Sequence, residues 1–133
     1  MCLPNASATP ISEAATVPRW KLTWGAIAFD VATGATGYAV GEPSQRRARR
    51  QALAQCNGKG GRDCEVMLAY QNQCAVIADP VRDGQFIPGE SIYRSGPTIE
   101  ETSNAALSSC SQRNGGTGCR IVYSACSEPL LVN

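Results

Sequence analysis

The stretch Ala52-Leu53-Ala54-Gln55-Cys56, a turn carrying Gly58, Gly60 and Gly61, and then Cys64-Glu65-Val66-Met67-Leu68 decides how this chain is read. It recurs as Ala106-Leu107-Ser108-Ser109-Cys110, then Gly115, Gly116 and Gly118, then Cys119-Arg120-Ile121-Val122-Tyr123. Each copy reads as a helix end, a cysteine, a glycine-rich turn, a second cysteine and a strand. Self-similarity across three successive elements marks an internal repeat. The repeat predicts bridges Cys56–Cys64 and Cys110–Cys119, each joining a helix end to the next strand across a short turn. Cys74 and Cys126 remain for a third bridge, which would tie the two halves together. Their strand parity disagrees with that pairing unless a bulge or frayed end intervenes.

Outward from the first copy, Ala48, Ala52 and Cys56 fall four apart on one helical face, with Leu53 beside them. Arg46 and Arg50 lie opposite, and Arg47 and Arg49 on the flanks. Gly41-Glu42-Pro43-Ser44 opens this helix, with Pro43 suited to a first helical position. Before it, Trp24-Gly25-Ala26-Ile27-Ala28-Phe29-Asp30 reads as a strand and Thr36 to Val40 as its hairpin partner. Gly25 and Gly37 suggest close approach by a neighbour rather than catalysis. The strand after Cys64 places Val66, Leu68 and Tyr70 on one side.

The second half repeats the plan. Cys74 to Asp79 parallels the Ala26–Asp30 strand, and Phe86 to Tyr93 contains the return arm, interrupted by Pro88-Gly89. Thr98 and Glu101 form a capping box, and Ile99, Ser103, Ala106 and Cys110 make the buried face. Strand Cys119 to Ala125 closes the half, with Ser127 to Asn133 as a tail. The expected fold is α+β: two β-hairpin–helix–strand repeats forming an antiparallel sheet of about six strands, with two helices packed on one face. Residues 20–133 make a single disulfide-bonded domain with pseudo-repeats 24–73 and 74–126. Residues 1–19, rich in Pro, Ala, Ser and Thr, read as a flexible tether.

The chain of 133 residues carries 12 basic and 11 acidic side chains, so the total implies no strongly charged partner. It has no histidine, which removes Ser-His-Asp and Cys-His catalysis, His-ligated zinc and a histidine pH switch. Seven cysteines in so short a chain suggest an oxidising compartment. The spacing lacks the C-x2-C pairs of zinc motifs, so bridges are expected rather than a metal, and no cofactor. No stretch reaches the roughly 18 apolar residues of a membrane helix, and no intact signal peptide is visible. The expectation is therefore a mature exported form with Met1 added. Cys2, the odd cysteine, is read as the lipid-bearing residue of a processed lipoprotein, or else as a leftover thiol.

Trp24-Gly25-Ala26-Ile27-Ala28, the Ala-rich helix ending Ala-Leu-x-x-Cys, the short turn to a second Cys and a strand ending near Cys74-Ala75 resemble domain of unknown function 4189. The resemblance covers residues 24–79, with 80–126 as an echo. It implies an exported bacterial protein built as a small disulfide-bonded domain. It brings no established activity and no catalytic residues. The Arg-rich first helix and the Pro88-Gly89 segment are particular to this sequence.

Arg46, Arg47, Arg49 and Arg50 are the most unusual chemistry, a basic face for an acidic protein surface, phosphate or anionic lipid, or simply a solvated helix. Lys59 and Arg62 would extend it, and the irregular Gln85–Ser95 segment is the second candidate. Nucleic acid is disfavoured by the near-zero net charge and the lack of an RNA-binding aromatic signature. Asp30 and Asp79, at equivalent strand ends, are candidate acid–base carboxylates or turn caps. No serine sits in a nucleophile elbow: Gly37-Tyr38-Ala39-Val40-Gly41 has Ala there. Two functions follow: an envelope binding or inhibitory module, such as an immunity-type protein neutralising an antibacterial toxin, or a small secreted carboxylate-dependent hydrolase.

Overall fold

A computed structural model describes residues 19–132. The elements are β1 (Arg19–Lys21), β2 (Trp24–Phe29), β3 (Thr36–Glu42), α1 (Gln45–Gly58), β4 (Glu65–Gln71), β5 (Cys74–Arg82), β6 (Gln85–Phe86), β7 (Ile92–Gly96), α2 (Ile99–Arg113), β8 (Gly118–Cys126) and β9 (Leu130–Val132). The expected leader, with Cys2, lies outside the described residues except for Arg19, which belongs to β1. Within the expected tail, Leu130–Val132 forms a strand that pairs antiparallel with β1.

The fold is α+β with antiparallel sheets, but not one six-stranded sheet with both helices on one face. The first half forms a sheet in the order β3-β2-β4, and the second half pairs β5 with β6, β7 and β8. Helix α1 covers the first sheet through Ala48, Ala52 and Cys56 against Ala26, Ala28 and Ala39. Helix α2 covers the second through Ala106 and Cys110 against Val76, Ala78 and Ile92. The opposite faces meet each other: Ile27 and Tyr70 of the first sheet pack with Ala75 and Ile77 of the second. The result is four layers, helix–sheet–sheet–helix. The reason lies in the central strands. Gly25 to Ala28 and Cys74 to Ala78 are buried at every position, and a strand apolar on both faces needs cover on both. Small residues face the helices, and Ile and Tyr fill the middle.

All four tyrosines of the chain lie in that middle layer. Tyr38 and Tyr123 stack with ring centroids 3.9 Å apart and planes 8° from parallel. Burial pushes every one of these phenols above its ordinary value, Tyr93 to about 12, with Asp79 and Tyr38 adding to the shift at Tyr93. The Tyr70 hydroxyl is buried with no hydrogen-bond partner among the described residues. Its ring lies on Gly25, where an added Cβ would stand 2.4 Å from Cζ. Gly25 is thus the close-approach position that its sequence suggests.

Three register slips occur among the described residues: one lies in the β2–β3 pairing between Trp24 and Ala26, and the other two set the phase of the buried side chains. The β2–β4 register slips between Ile27 and Ala28, leaving Met67 as the extra residue, and the β5–β8 register slips between Ile77 and Ala78, leaving Val122. Val66 therefore faces α1 while Leu68 and Tyr70 face the second sheet, so the three do not share a side. The slip at Val122 also resolves the parity conflict of the third bridge. Cys74 and Cys126 become direct cross-strand partners and are bonded. Both belong to the second sheet, so this bridge fastens β5 to β8 rather than one half to the other. Cys56–Cys64 and Cys110–Cys119 form as the repeat predicts.

Helix α1 is capped by Ser44, whose Oγ accepts from Arg47 N at 3.2 Å, so Pro43 precedes the cap instead of occupying the first helical position. Thr98 caps α2 by accepting from Glu101 N at 3.1 Å, and Thr98 Oγ1 lies 3.3 Å from Glu101 Oε1. The buried stripe of α2 is Thr102, Ala106 and Cys110, not Ile99 and Ser103. Thr102 donates to Thr98 O and sits over Gly96, where an added Cβ would come 2.4 Å from its Oγ1.

Candidate functional site

The outer face of α1 carries the site. Burial of Ala48, Ala52 and Cys56 turns Arg46, Arg49 and Arg50 to solvent, where with Leu53, Ala54 and Asn57 they line a shallow depression of about 470 Å³. These six positions are spaced i, i+3, i+4, i+7, i+8 and i+11, a single stripe along the helix. Leu53, Ala54 and Asn57 extend the basic stretch in a way the arginine run alone does not show. Arg47 is exposed but outside the depression. Lys59 turns away, its ammonium 5.4 Å from the Tyr38 ring centroid, and Arg62 gives its backbone amide to Asp30. Neither extends the stripe.

Among the described residues no arginine of α1 meets a carboxylate, and the ion pair found there is Arg113–Glu90, at 3.1 Å. Helix α1 has no acidic residue in its first turn and carries Arg46 and Arg47 there. Cations at that end oppose the helix dipole, an effect of roughly 0.3–1 kcal/mol per exposed charge. Helix α2 follows the stabilising rule, with Glu100 and Glu101 in its first turn and Arg113 in its last. Aligning the buried residues Ala48, Ala52 and Cys56 with Thr102, Ala106 and Cys110 sets Arg46 and Arg47 against Glu100 and Glu101. It sets Arg49 and Arg50 against Ser103 and Asn104.

The two candidate carboxylates come apart. The β2–β3 and β5–β7 registers align Ile27 with Ile77, since these face Tyr38 and Tyr93 respectively. Asp79 then corresponds to Phe29, and Asp30 to Pro80, so the two aspartates are not equivalent. Asp30 is buried and joins the β2–β3 turn to the α1–β4 turn. Its carboxylate accepts from Ala32 N (3.0 Å), Thr33 Oγ1 (2.8 Å), Arg62 N (2.9 Å) and Asp63 N (3.4 Å). The Arg62 amide and then the Thr33 hydroxyl hold its acidity at about 2 against an ordinary 3.8, desolvation opposing them. A carboxylate this well satisfied is a staple, not a proton carrier. Asp79 lies half-buried and accepts from the Ser91 hydroxyl.

Because the folded value of Asp30 lies below the unfolded one, its stabilising effect is complete above about 3.8 and drains away as pH falls toward about 2. Asp30→Asn is expected to lower stability at neutral pH and to flatten the acid limb of a Tm-against-pH curve in that window. An acid limb identical to that of the parent protein would show that Asp30 is not the staple.

The Gln85–Ser95 segment, the second candidate, is fastened to the end of α2. Asn114 Nδ2 donates to Glu90 O at 3.0 Å, Glu90 N donates to Asn114 Oδ1 at 2.8 Å, and Gly89 lies against the same side chain. Its irregularity therefore has a structural cause. Among the described residues no group of three His, Cys, Asp or Glu side chains could hold a metal ion, and no helix is long and apolar enough to cross a membrane.

One family matches the chain, described as Domain of unknown function (DUF4189), over residues 24–126. No curated protein and no solved structure matches it.

Proposed function

For a chain that belongs to the DUF4189 family, we propose a binding or inhibitory role in the cell envelope, in which the arginine stripe of α1 docks an acidic surface of another protein. An immunity-type protein that neutralises a secreted antibacterial toxin fits this reading. The observation that carries it is the pair of first-turn arginines, Arg46 and Arg47. They oppose the helix dipole and lack an ion-pair partner among the described residues, while the corresponding turn of α2 is acidic. A requirement of folding would act on both helices in the same direction. Arginine also suits such contacts, because its planar fork of donors matches a carboxylate. Three bridges support export to an oxidising compartment, periplasmic or extracellular. Attachment through a lipid on Cys2 belongs to the same proposal. The carboxylate-hydrolase alternative loses its pair with Asp30 committed to four donors.

The test is Arg46→Glu with Arg50→Glu, assayed for binding to secreted toxins encoded beside the gene. Affinity should fall by about tenfold or more, and the association rate should lose its dependence on salt. The melting temperature should hold or rise slightly, since Glu at position 46 agrees with the dipole. Undiminished binding by a folded double variant would place the contact elsewhere.

A further inference from the structure

The chain's first and last described segments form a ribbon separate from the two core sheets. Arg19 pairs with Val132, Trp20 with Leu131 and Lys21 with Leu130, and all six are exposed. Partners across a ladder share a face. Trp20 (67% exposed) and Leu131 (56%) therefore make one face wholly apolar, with exposed Leu22 next in line. The other face mixes Arg19 and Lys21 with Leu130 and Val132. Neither strand contains an acidic residue. At the ribbon's base Thr23 and Ser127 share a hydrogen bond of 2.7 Å, and Ser127 Oγ accepts from Gly41 N at 3.1 Å. Gly41 lies three residues before the Ser44 cap of α1, so Arg46 and Arg47 stand at the same end of the molecule. Glu42, opposite Trp24 in the ladder, and Glu128, whose carbonyl accepts from Thr23, are acidic residues near the base and lie outside the ribbon.

We propose that the β1–β9 ribbon is an interfacial anchor that seats on an anionic lipid surface. Trp prefers the boundary between headgroups and acyl chains, where an amphipathic ring is half solvated. Leu22, Leu130, Leu131 and Val132 supply apolar area to bury beside it. Arg19 and Lys21 lay their stems along that surface and hold their charges among the headgroups, each adding about 1 kcal/mol, roughly fivefold in partitioning, on an anionic leaflet. A second copy is a poorer occupant. Strands of three residues bury far less than the roughly 1,200–2,000 Å² of a stable interface, and antiparallel β1-to-β1 pairing about Trp20 would oppose Arg19 with Lys21. The leader carrying Cys2 joins the fold at Arg19, so a lipid on Cys2 and the ribbon would address the same surface. The ribbon does not depend on that lipid.

The experiment uses the full, unacylated chain with vesicles of phosphatidylcholine containing about 30% phosphatidylglycerol, and with phosphatidylcholine alone as the reference. Binding to the anionic vesicles is expected, with a blue shift of tryptophan emission and weakening at high salt. Trp20→Ala with Leu131→Ala, which removes the reporting indole, should lower partitioning by about tenfold or more when read by co-sedimentation with the vesicles. Arg19→Glu with Lys21→Glu should lower it about as far on anionic vesicles only. Arg46→Glu with Arg50→Glu, which tests the protein-docking face, should leave the emission shift in place. No binding by the parent chain overturns the proposal. So does binding lost only in the α1 variant, or a concentration-dependent dimer by light scattering that Trp20→Ala dissolves. Circular dichroism of each variant confirms that a loss is not unfolding.

Discussion

Gly37→Ala is expected to destabilise the protein by about 3 kcal/mol or more, and Gly37→Val to prevent folding. A Cβ at Gly37 would stand 1.9 Å from Ala52 O and 2.5 Å from Cys56 N. Both are backbone atoms of α1, so no side-chain rotation relieves the overlap and the whole helix must move off the sheet. That movement would open the packing of Ala48 and Ala52 on Ala26 and Ala28. It would also shift Cys56, which is bonded to Cys64. The equivalent position in the second half is Ile92, since Gly37 pairs with Ala28 as Ile92 pairs with Ala78. α1 therefore rides closer to its hairpin partner than α2 does. Against a total stability of roughly 5–15 kcal/mol, such a loss is a large fraction. Urea unfolding measures it, with Gly58→Ala as the control. Gly58 lies in the last turn of α1 with open space around its would-be Cβ, so Ala there should be neutral or stabilise by up to about 1 kcal/mol. Equal midpoints for the two variants would show that α1 does not rest on Gly37.

The second large effect is expected from Cys74→Ala with Cys126→Ala. This bridge spans 52 positions, against 8 and 9 for the other two. In the chain-entropy account, closing a loop of that size stabilises by about 4 kcal/mol, against about 2.5 kcal/mol for either short loop. The bridge also fixes the last residue of β8 to the first of β5, at the end where the ribbon begins. The double variant should unfold at clearly lower urea than one lacking Cys110–Cys119. The reverse order would mean that the short bridges, not the long one, limit the unfolded chain.

The helices, the buried Ala-x3-Ala-x3-Cys stripe of α1 and the two short bridges are legible from spacing alone, because each depends on neighbours within about ten residues; the α2 stripe is legible only at Ala106 and Cys110, its third member being Thr102. The layering is not. Gly25 to Ala28 and Cys74 to Ala78 show by their composition that both faces are covered, but what covers each face is decided by contacts far apart in sequence. The bulges behave likewise: the mismatched parity of Cys74 and Cys126 calls for a bulge or a frayed end, yet only the register shows a bulge and places it at Val122, and nothing local announces its counterpart at Met67. A one-residue slip in aligning the halves is enough to pair Asp79 with Asp30 instead of Phe29, which gives an apparent carboxylate dyad where there is none. The arginine run is plain in the sequence. Its opposition to the helix dipole becomes meaningful only when Ser44 is identified as the cap and Glu100 and Glu101 as the counterparts.

No bridge crosses between the halves. Each is closed internally, and they meet through the tyrosine layer and the contacts at the ribbon's base, with Asn72 and Gln73 as the link from β4 to β5. That link is tight, Asn72 taking a φ of 52°, and short connections under such constraint favour exchange between chains. If the link straightens, the first half of one molecule can lie against the second half of another, restoring every tyrosine contact and leaving all three bridges intact. Concentrated, fully oxidised protein thus has a route to an intertwined pair of chains that reducing agents would not be needed to form. Only the dipeptide Asn72-Gln73 would differ between that pair and the single molecule.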